Sequence, residues 1–219
     1  MKKYMRTPDD PLLPITVFWQ KRFGNLAPKE YRFGRALIGP DKIFGEYNLG
    51  NISSSRMQFV VLTYATGGSH DKHVHDDNEQ AYYIIAGQAS VTIGEDTSVL
   101  GPGGVALIAL GIPHGFHNAG EELLTLLDLH TYQFDDVPPS KLGVAEVTYG
   151  LQGGVEAHAH SDREKAYYII SGQASVKIGE EEAALGAGSV AFIPRHVTHA
   201  YRNVGDEPLK LAVVSSYDV

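Results

Sequence analysis

No cysteine occurs in the chain, which excludes disulfides and thiolate-bound metals; any metal must be held by nitrogen and oxygen donors. There is no block of lysine and arginine either. The formal net charge is -8, which argues against a nucleic-acid or acidic-membrane surface, where basic patches supply most of the affinity. No run of about 18 apolar residues is present to span a bilayer. The basic start of MKKYMRTPDDPLLPITVFW is broken by Asp9, Asp10 and three prolines instead of leading into an apolar stretch, so a cytoplasmic location is expected. What is there, 43% hydrophobic and 20% charged residues over 219 positions, is the composition of a folded protein. The expected partner is a small-molecule substrate or ligand, with no nucleic acid and no membrane.

The chain writes one phrase twice. QAYYIIAGQASVTIG at 80–94 returns as KAYYIISGQASVKIG at 165–179, and the same offset of 85 residues carries His73 to His158, His75 to His160, Glu79 to Glu164, Gly103 to Gly188, His114 to His199 and Asn118 to Asn203. A period this long is a duplicated domain, not a solenoid repeat. Within each copy, short segments rich in Val, Ile, Tyr and Phe are separated by Gly, Pro, Asn or Asp, the spacing of an all-β sandwich or barrel. Two barrels are expected, at 56–136 and 141–219, joined near FDDVPPSKLG, where Pro138 and Pro139 interrupt strand pairing. Residues 1–55 have no counterpart in the second copy. They contain the strand-like ITVFW and YRFGRALIG and are expected to form an arm that extends a sheet or builds a subunit interface, so a homodimer is anticipated.

Six of the ten histidines lie at repeat-matched positions: His73, His75 and His114, then His158, His160 and His199. A single histidine is ordinarily a hydrogen-bonded surface or strand residue. His-x-His on a strand, however, puts two imidazoles on one face, and a third from a neighbouring strand can complete a metal-binding set. Tyr82 shares the parity of Gln80 and is a candidate proton donor, since a buried phenol needs a partner; Tyr167 is its counterpart. Phe116 and Tyr201 read as core. His70, His117, His130 and His196 fall off the ligand pattern and read as surface or supporting residues.

These residues resemble the cupin family, and the whole resembles a bicupin, two jelly-roll barrels in tandem. The pattern G-x5-H-x-H-x(3 or 4)-E-x6-G is matched by Gly67, His73, His75 and Gly87, with Gln80 where the register expects Glu. The pattern G-x5-P-x-G-x2-H-x3-N is matched by Gly103, Gly111, His114 and Asn118, with Ala109 for Pro. The second copy has His158, His160 and Gly172, then Gly188, Pro194, His199 and Asn203, with His196 for Gly. The resemblance implies that His73, His75, Gln80 and His114 hold one divalent transition metal (Fe, Mn, Ni, Zn or Cu) in the first barrel. Some cupins, including uronate-processing enzymes and polyketide cyclases, use Gln at this place. If the strand slips by one residue, Glu79 becomes the ligand instead.

At the matching position of the second copy stands Lys165. An ammonium about 4 Å from a divalent ion would be repelled by roughly 8 kcal/mol at an effective dielectric near 20. That copy is therefore metal-free, or Lys165 turns away and leaves His158, His160 and His199 as a weaker metal site, or Lys165 is neutralised by burial; a metal-free pocket with Lys165 and Arg195 could take an anion. The expected function is that of a metal-dependent enzyme acting on a small carbonyl, enol or carboxylate-type substrate, by isomerase, lyase or dioxygenase chemistry. The alternative is a non-catalytic bicupin that binds or senses a small ligand.

Overall fold

A computed structural model describes residues 5–6, 32–38, 43–48, 57–132 and 140–218. The expected strand ITVFW lies outside them. The strands are β1 (Met5–Arg6), β2 (Arg32–Ile38), β3 (Ile43–Asn48), β4 (Met57–Tyr64), β5 (Ser69–His73), β6 (Asn78–Ala86), β7 (Ala89–Ile93), β8 (Asp96–Leu100), β9 (Val105–Ile108) and β10 (His114–Asn118). There follow β11 (Leu124–Tyr132), β12 (Ser140–Tyr149), β13 (Gly154–His158), β14 (Arg163–Ser171), β15 (Gln173–Ile178), β16 (Glu181–Gly186), β17 (Val190–Ile193), β18 (His199–Asn203) and β19 (Leu209–Asp218). Among the described residues no helix is long and apolar enough to cross a membrane.

The chain divides into two compact units, residues 11–142 and residues 1–10 with 143–219. In the first, a sheet ordered β3-β2-β4-β11-β6-β9 is joined by a sheet ordered β5-β10-β7-β8. In the second, β1-β17-β14-β19-β12 is joined by β13-β18-β15-β16. With β1, β2 and β3 set aside, the two lists match strand for strand: each unit is an all-β jelly roll of two antiparallel sheets. The N-terminal strands extend a sheet in each unit. β2 runs parallel to β4, whereas β1 pairs with β17.

Side chains alternate across each strand, so one face of every strand supplies the barrel interior. In the first unit Leu62, Tyr64, Tyr82, Ile84, Leu124 and Leu126 meet inside, and in the second Tyr167, Ile169, Val176, Ile178, Leu209 and Leu211. Each such burial contributes about 1.5–3 kcal/mol. Asn118 and Asn203 then clamp equivalent loops. Asn118 donates to Tyr64 O and Glu122 O and accepts from Gly120 N, and Asn203 repeats the set with Tyr149 O, Glu207 O and Gly205 N.

The backbone repeats more faithfully than the side chains do. Left-handed conformations occur at Gly67, Gly87, Gly94, Gly103 and Gly111, and again at Gln152, Gly172, Gly179, Gly188 and His196. Two of the second set carry a Cβ that crowds the following carbonyl. At Gly87 the backbone needs the missing side chain for a second reason, because an added Cβ would stand 2.5 Å from Leu123 O. Opposite outcomes are therefore expected in chemical denaturation: Gln152→Gly and His196→Gly, both at exposed turns, each stabilise the protein by about 1 kcal/mol, while Gly87→Ala destabilises it by about 2 kcal/mol or more.

Candidate metal centres

In the first barrel, β5 ends at His73 and β10 opens at His114; the two residues are paired across the ladder. The register is irregular just beyond this pair, where three residue steps on β5 oppose two on β10. Within that irregular stretch the carbonyl of Asp71 accepts the Nδ1 proton of His73 at 2.7 Å. The carbonyl of Ile112 does the same for His114 Nδ1, also at 2.7 Å. His75 lies two residues past the end of β5, outside the strand, and Gly111 N donates to its carbonyl at 2.8 Å. Strand parity is thus replaced at His75 by a loop anchor, yet its Nε2 stands 3.1 Å from that of His73. Since a neutral imidazole carries one proton, an Nδ1 committed to a carbonyl leaves an Nε2 lone pair facing inward.

The donor atoms of His73, His75 and His114 all lie within 4.8 Å of one another. At metal–nitrogen bonds of about 2.1 Å, two donors on one ion stand about 3 to 3.4 Å apart, a spacing the His73–His75 pair meets at 3.1 Å, so the three histidines could hold a metal ion. Burial lowers the pKa of His114, against the pull of the Ile112 carbonyl, and His73 lowers it further, a shift that favours the neutral ring a ligand requires.

Gln80 reaches the triad from β6. Its Oε1 is 2.5 Å from His114 Nε2, while its Nε2 donates to Asp128 Oδ1 at 2.6 Å and lies 3.2 Å from His130 Nε2. His130 Nε2 is 3.1 Å from Asp128, and its Nδ1 donates to Asn78 Oδ1 at 2.8 Å. Burial pushes the Asp128 carboxyl up, but the His130 imidazole and the Gln80 amide outweigh it and hold it well below the usual carboxylate range. Sequence reasoning passed over Asp128 and placed His130 too loosely: it is fully buried and in contact with Gln80. The signal was present in LLTLLDLHTY, where Asp128 and His130 continue the inward row of Leu124 and Leu126.

Glu79 points away from this set. Its carboxylate accepts from Lys141 Nζ at 2.6 Å and from Leu142 N at 3.3 Å, so Gln80 is the residue aimed at the triad. Tyr82 is fully buried, with its ring 6.2 Å from that of His114 and 4.8 Å from that of Phe116. Its hydroxyl has no hydrogen-bond partner among the described residues. Burial, then Asp128, raises its pKa well above the ordinary value, so the phenol keeps its proton. Phe116 and Tyr201 belong to the two cores. His70 stacks on His73 at 4.5 Å, and His117 and His196 are exposed.

The second barrel repeats the triad. His158 Nδ1 donates to Glu156 O at 2.8 Å, His199 Nδ1 to Val197 O at 3.1 Å, and the Nε2 atoms of His158 and His160 are 3.1 Å apart. His199 Nε2 is buried without a partner among the described residues. This arrangement also fits a cation better than an anion, because inward lone pairs accept and do not donate. Arg195, considered above for an anion, is engaged by Asp218 through two hydrogen bonds. What differs is the surround. Arg163, Lys165, Val213 and Ser215 stand where the first barrel has Asn78, Gln80, Asp128 and His130. Burial, followed by Arg163, lowers the pKa of the half-buried Lys165, and Asp162 partly offsets this.

Two jelly rolls, each with three convergent histidines, define a tandem metal-ready barrel protein. The Cupin domain family matches residues 60–130 and again 145–215, and the chain belongs to it, as a bicupin. An uncharacterized protein of Streptomyces coelicolor is 28% identical over 72 residues, 33% of this chain and 69% of that one. The crystal structure of AerE from Microcystis aeruginosa superposes with a TM-score of 0.70 at 14% identity, over 99% of this chain and 100% of that one. An oxalate decarboxylase from Lactobacillus farciminis, in complex with formate, gives 0.60 at 17% identity, over 74% and 77%. At these identities the structures share the fold.

Burial and then Lys165 lower the His160 pKa to about 4. In the unfolded chain an imidazole takes its proton near pH 6.5, so between those values the unfolded state binds more protons. The stability associated with neutral His160 is full above about pH 6.5 and falls as pH drops towards 4. Denaturant titrations of metal-free protein at pH 7 and pH 5 should show this loss, and Lys165→Gln should make it smaller by relieving the repulsion.

Proposed function

We propose that the first barrel binds one divalent transition metal through His73, His75, His114 and Gln80, and that the protein is an enzyme acting on a small carbonyl, enol or carboxylate-type substrate. The observation that carries the reading is the shared tautomer: Nδ1 of His73 and His114 is spent on backbone carbonyls, which leaves their Nε2 atoms as metal donors. All four donors are neutral, so an ion held there would keep its full charge and act as a strong Lewis acid towards an anionic oxygen. Substrates with a carboxylate or an enolisable carbonyl gain most. The formate held by the similar oxalate decarboxylase is a ligand of that chemical class. Tyr82, enclosed beside His114 with its ring 6.2 Å away, is the group assigned to proton transfer on this reading.

The second barrel is the weaker site. Its triad matches the first in geometry, but Lys165 replaces the oxygen donor and adds a positive charge that disfavours a cation. Elemental analysis of the purified wild type and of a His73→Ala, His75→Ala double variant tests both parts. About one ion per chain in the wild type and none in the variant is expected. Two ions per chain, or one that survives the double substitution, would show that the second barrel holds metal despite Lys165.

A further inference from the structure

We infer that Asp128 is a positioning residue for the first-barrel site: its enclosed carboxylate decides which end of the Gln80 amide faces the three histidines, and it thereby makes glutamine the serviceable residue at position 80. This rests on the metal-binding reading above. The two ends of a glutamine amide are nearly the same size, but only the oxygen can ligate. Unrestrained, the amide could as well present its NH2 group, which repels a cation. Asp128 removes that freedom. An ionised carboxylate accepts and never donates, so Gln80 must turn its Nε2 towards Asp128 Oδ1, at 2.6 Å, and its Oε1 towards His114.

The constraint runs through a chain of four buried side chains: Asn78 3%, Gln80 2%, Asp128 5% and His130 0% exposed. At its far end Asn78 Nδ2 donates to Asp77 Oδ1 at 2.7 Å, which leaves Asn78 Oδ1 to accept from His130 Nδ1. With its proton on Nδ1, His130 presents Nε2 to the Gln80 amide nitrogen as an acceptor, so His130 and Asp128 both call for the NH2 end of that amide and fix it in one orientation. In the second barrel the four corresponding residues are Arg163, Lys165, Val213 and Ser215. Loss of the oxygen donor there goes with loss of the acceptor that would have aimed it.

The same contact explains why the family's usual glutamate is absent. A carboxylate at position 80 would set its oxygens against those of Asp128 in an enclosed space, and two anions in contact oppose each other strongly where water cannot screen them. Asp128 and a ligating glutamate at position 80 are therefore alternatives.

The test is Co(II) titration of the metal-free full-length chain, read by the visible absorption of the bound ion, with thermal denaturation to confirm folding. Asp128→Asn gives residue 128 a donor as well as an acceptor, which lets Gln80 turn over. Affinity should fall about ten- to hundredfold and the Co(II) spectrum should change. In a Gln80→Ala background the same substitution should alter affinity by no more than roughly twofold, because there is no amide left to aim. Gln80→Glu should bind no tighter than wild type, whereas Gln80→Glu combined with Asp128→Asn should bind about tenfold tighter than Gln80→Glu alone. Equal loss from Asp128→Asn with and without Gln80, or no loss at all, would overturn the inference while leaving the metal site standing. Should Asp128→Asn fail to fold, tighter binding by Gln80→Glu alone would overturn it. A wild-type chain that takes no Co(II) in the first barrel would bring down both the inference and the reading beneath it.

Discussion

Four hydrogen bonds of one kind underlie the chemistry of this protein. His73, His114, His158 and His199 each donate an Nδ1 proton to the backbone carbonyl two residues earlier. A carbonyl cannot move independently of its strand or turn, so the fold itself selects the tautomer and the ring plane. The result is a cluster of lone pairs directed at one point in each barrel. Isolated from a cation or a proton, such a cluster is mutually repulsive, and the backbone anchors of the Nδ1 atoms fix the rings against that repulsion.

The barrels share this device and diverge around it. Their triads have nearly the same spacing, and even the left-handed backbone positions recur where glycine has been replaced by Gln152 and His196. The fourth side of each triad is different in kind. In the first barrel a neutral amide is backed by a buried anion and a buried imidazole. In the second an ammonium stands at the same register position, with Val213 and Ser215 behind it. Duplication preserved the architecture that is costly to alter, the barrel and its turns, and left the charge of the site free to change.

Burying Asp128 costs free energy that a hydrophobic residue such as Val213 does not. The cost is offset by the adjacent His130 and by the amide donor of Gln80, which favour the charged form of the carboxylate. A charged group kept inside a core at such a cost is best understood by what it orients, and here that is the amide next to the triad.

The duplication, the strand spacing and the six repeated histidines could be read from the sequence alone, because each is a local pattern: an offset, an alternation, a pair of residues two apart. From such patterns came an all-β fold in two halves and an orientation of Gln80 opposite to Glu79. Only the tertiary structure decided which atoms converge. It placed His75 in a loop instead of on the strand, committed the Nδ1 protons to Asp71 and Ile112, and brought Asp128 and His130, 48 and 50 residues away in sequence, against Gln80. The physical reason is that a hydrogen bond depends on partner and direction. In a β-barrel the partners come from strands far apart in the chain, so their identity is settled by sheet order and register and not by sequence spacing.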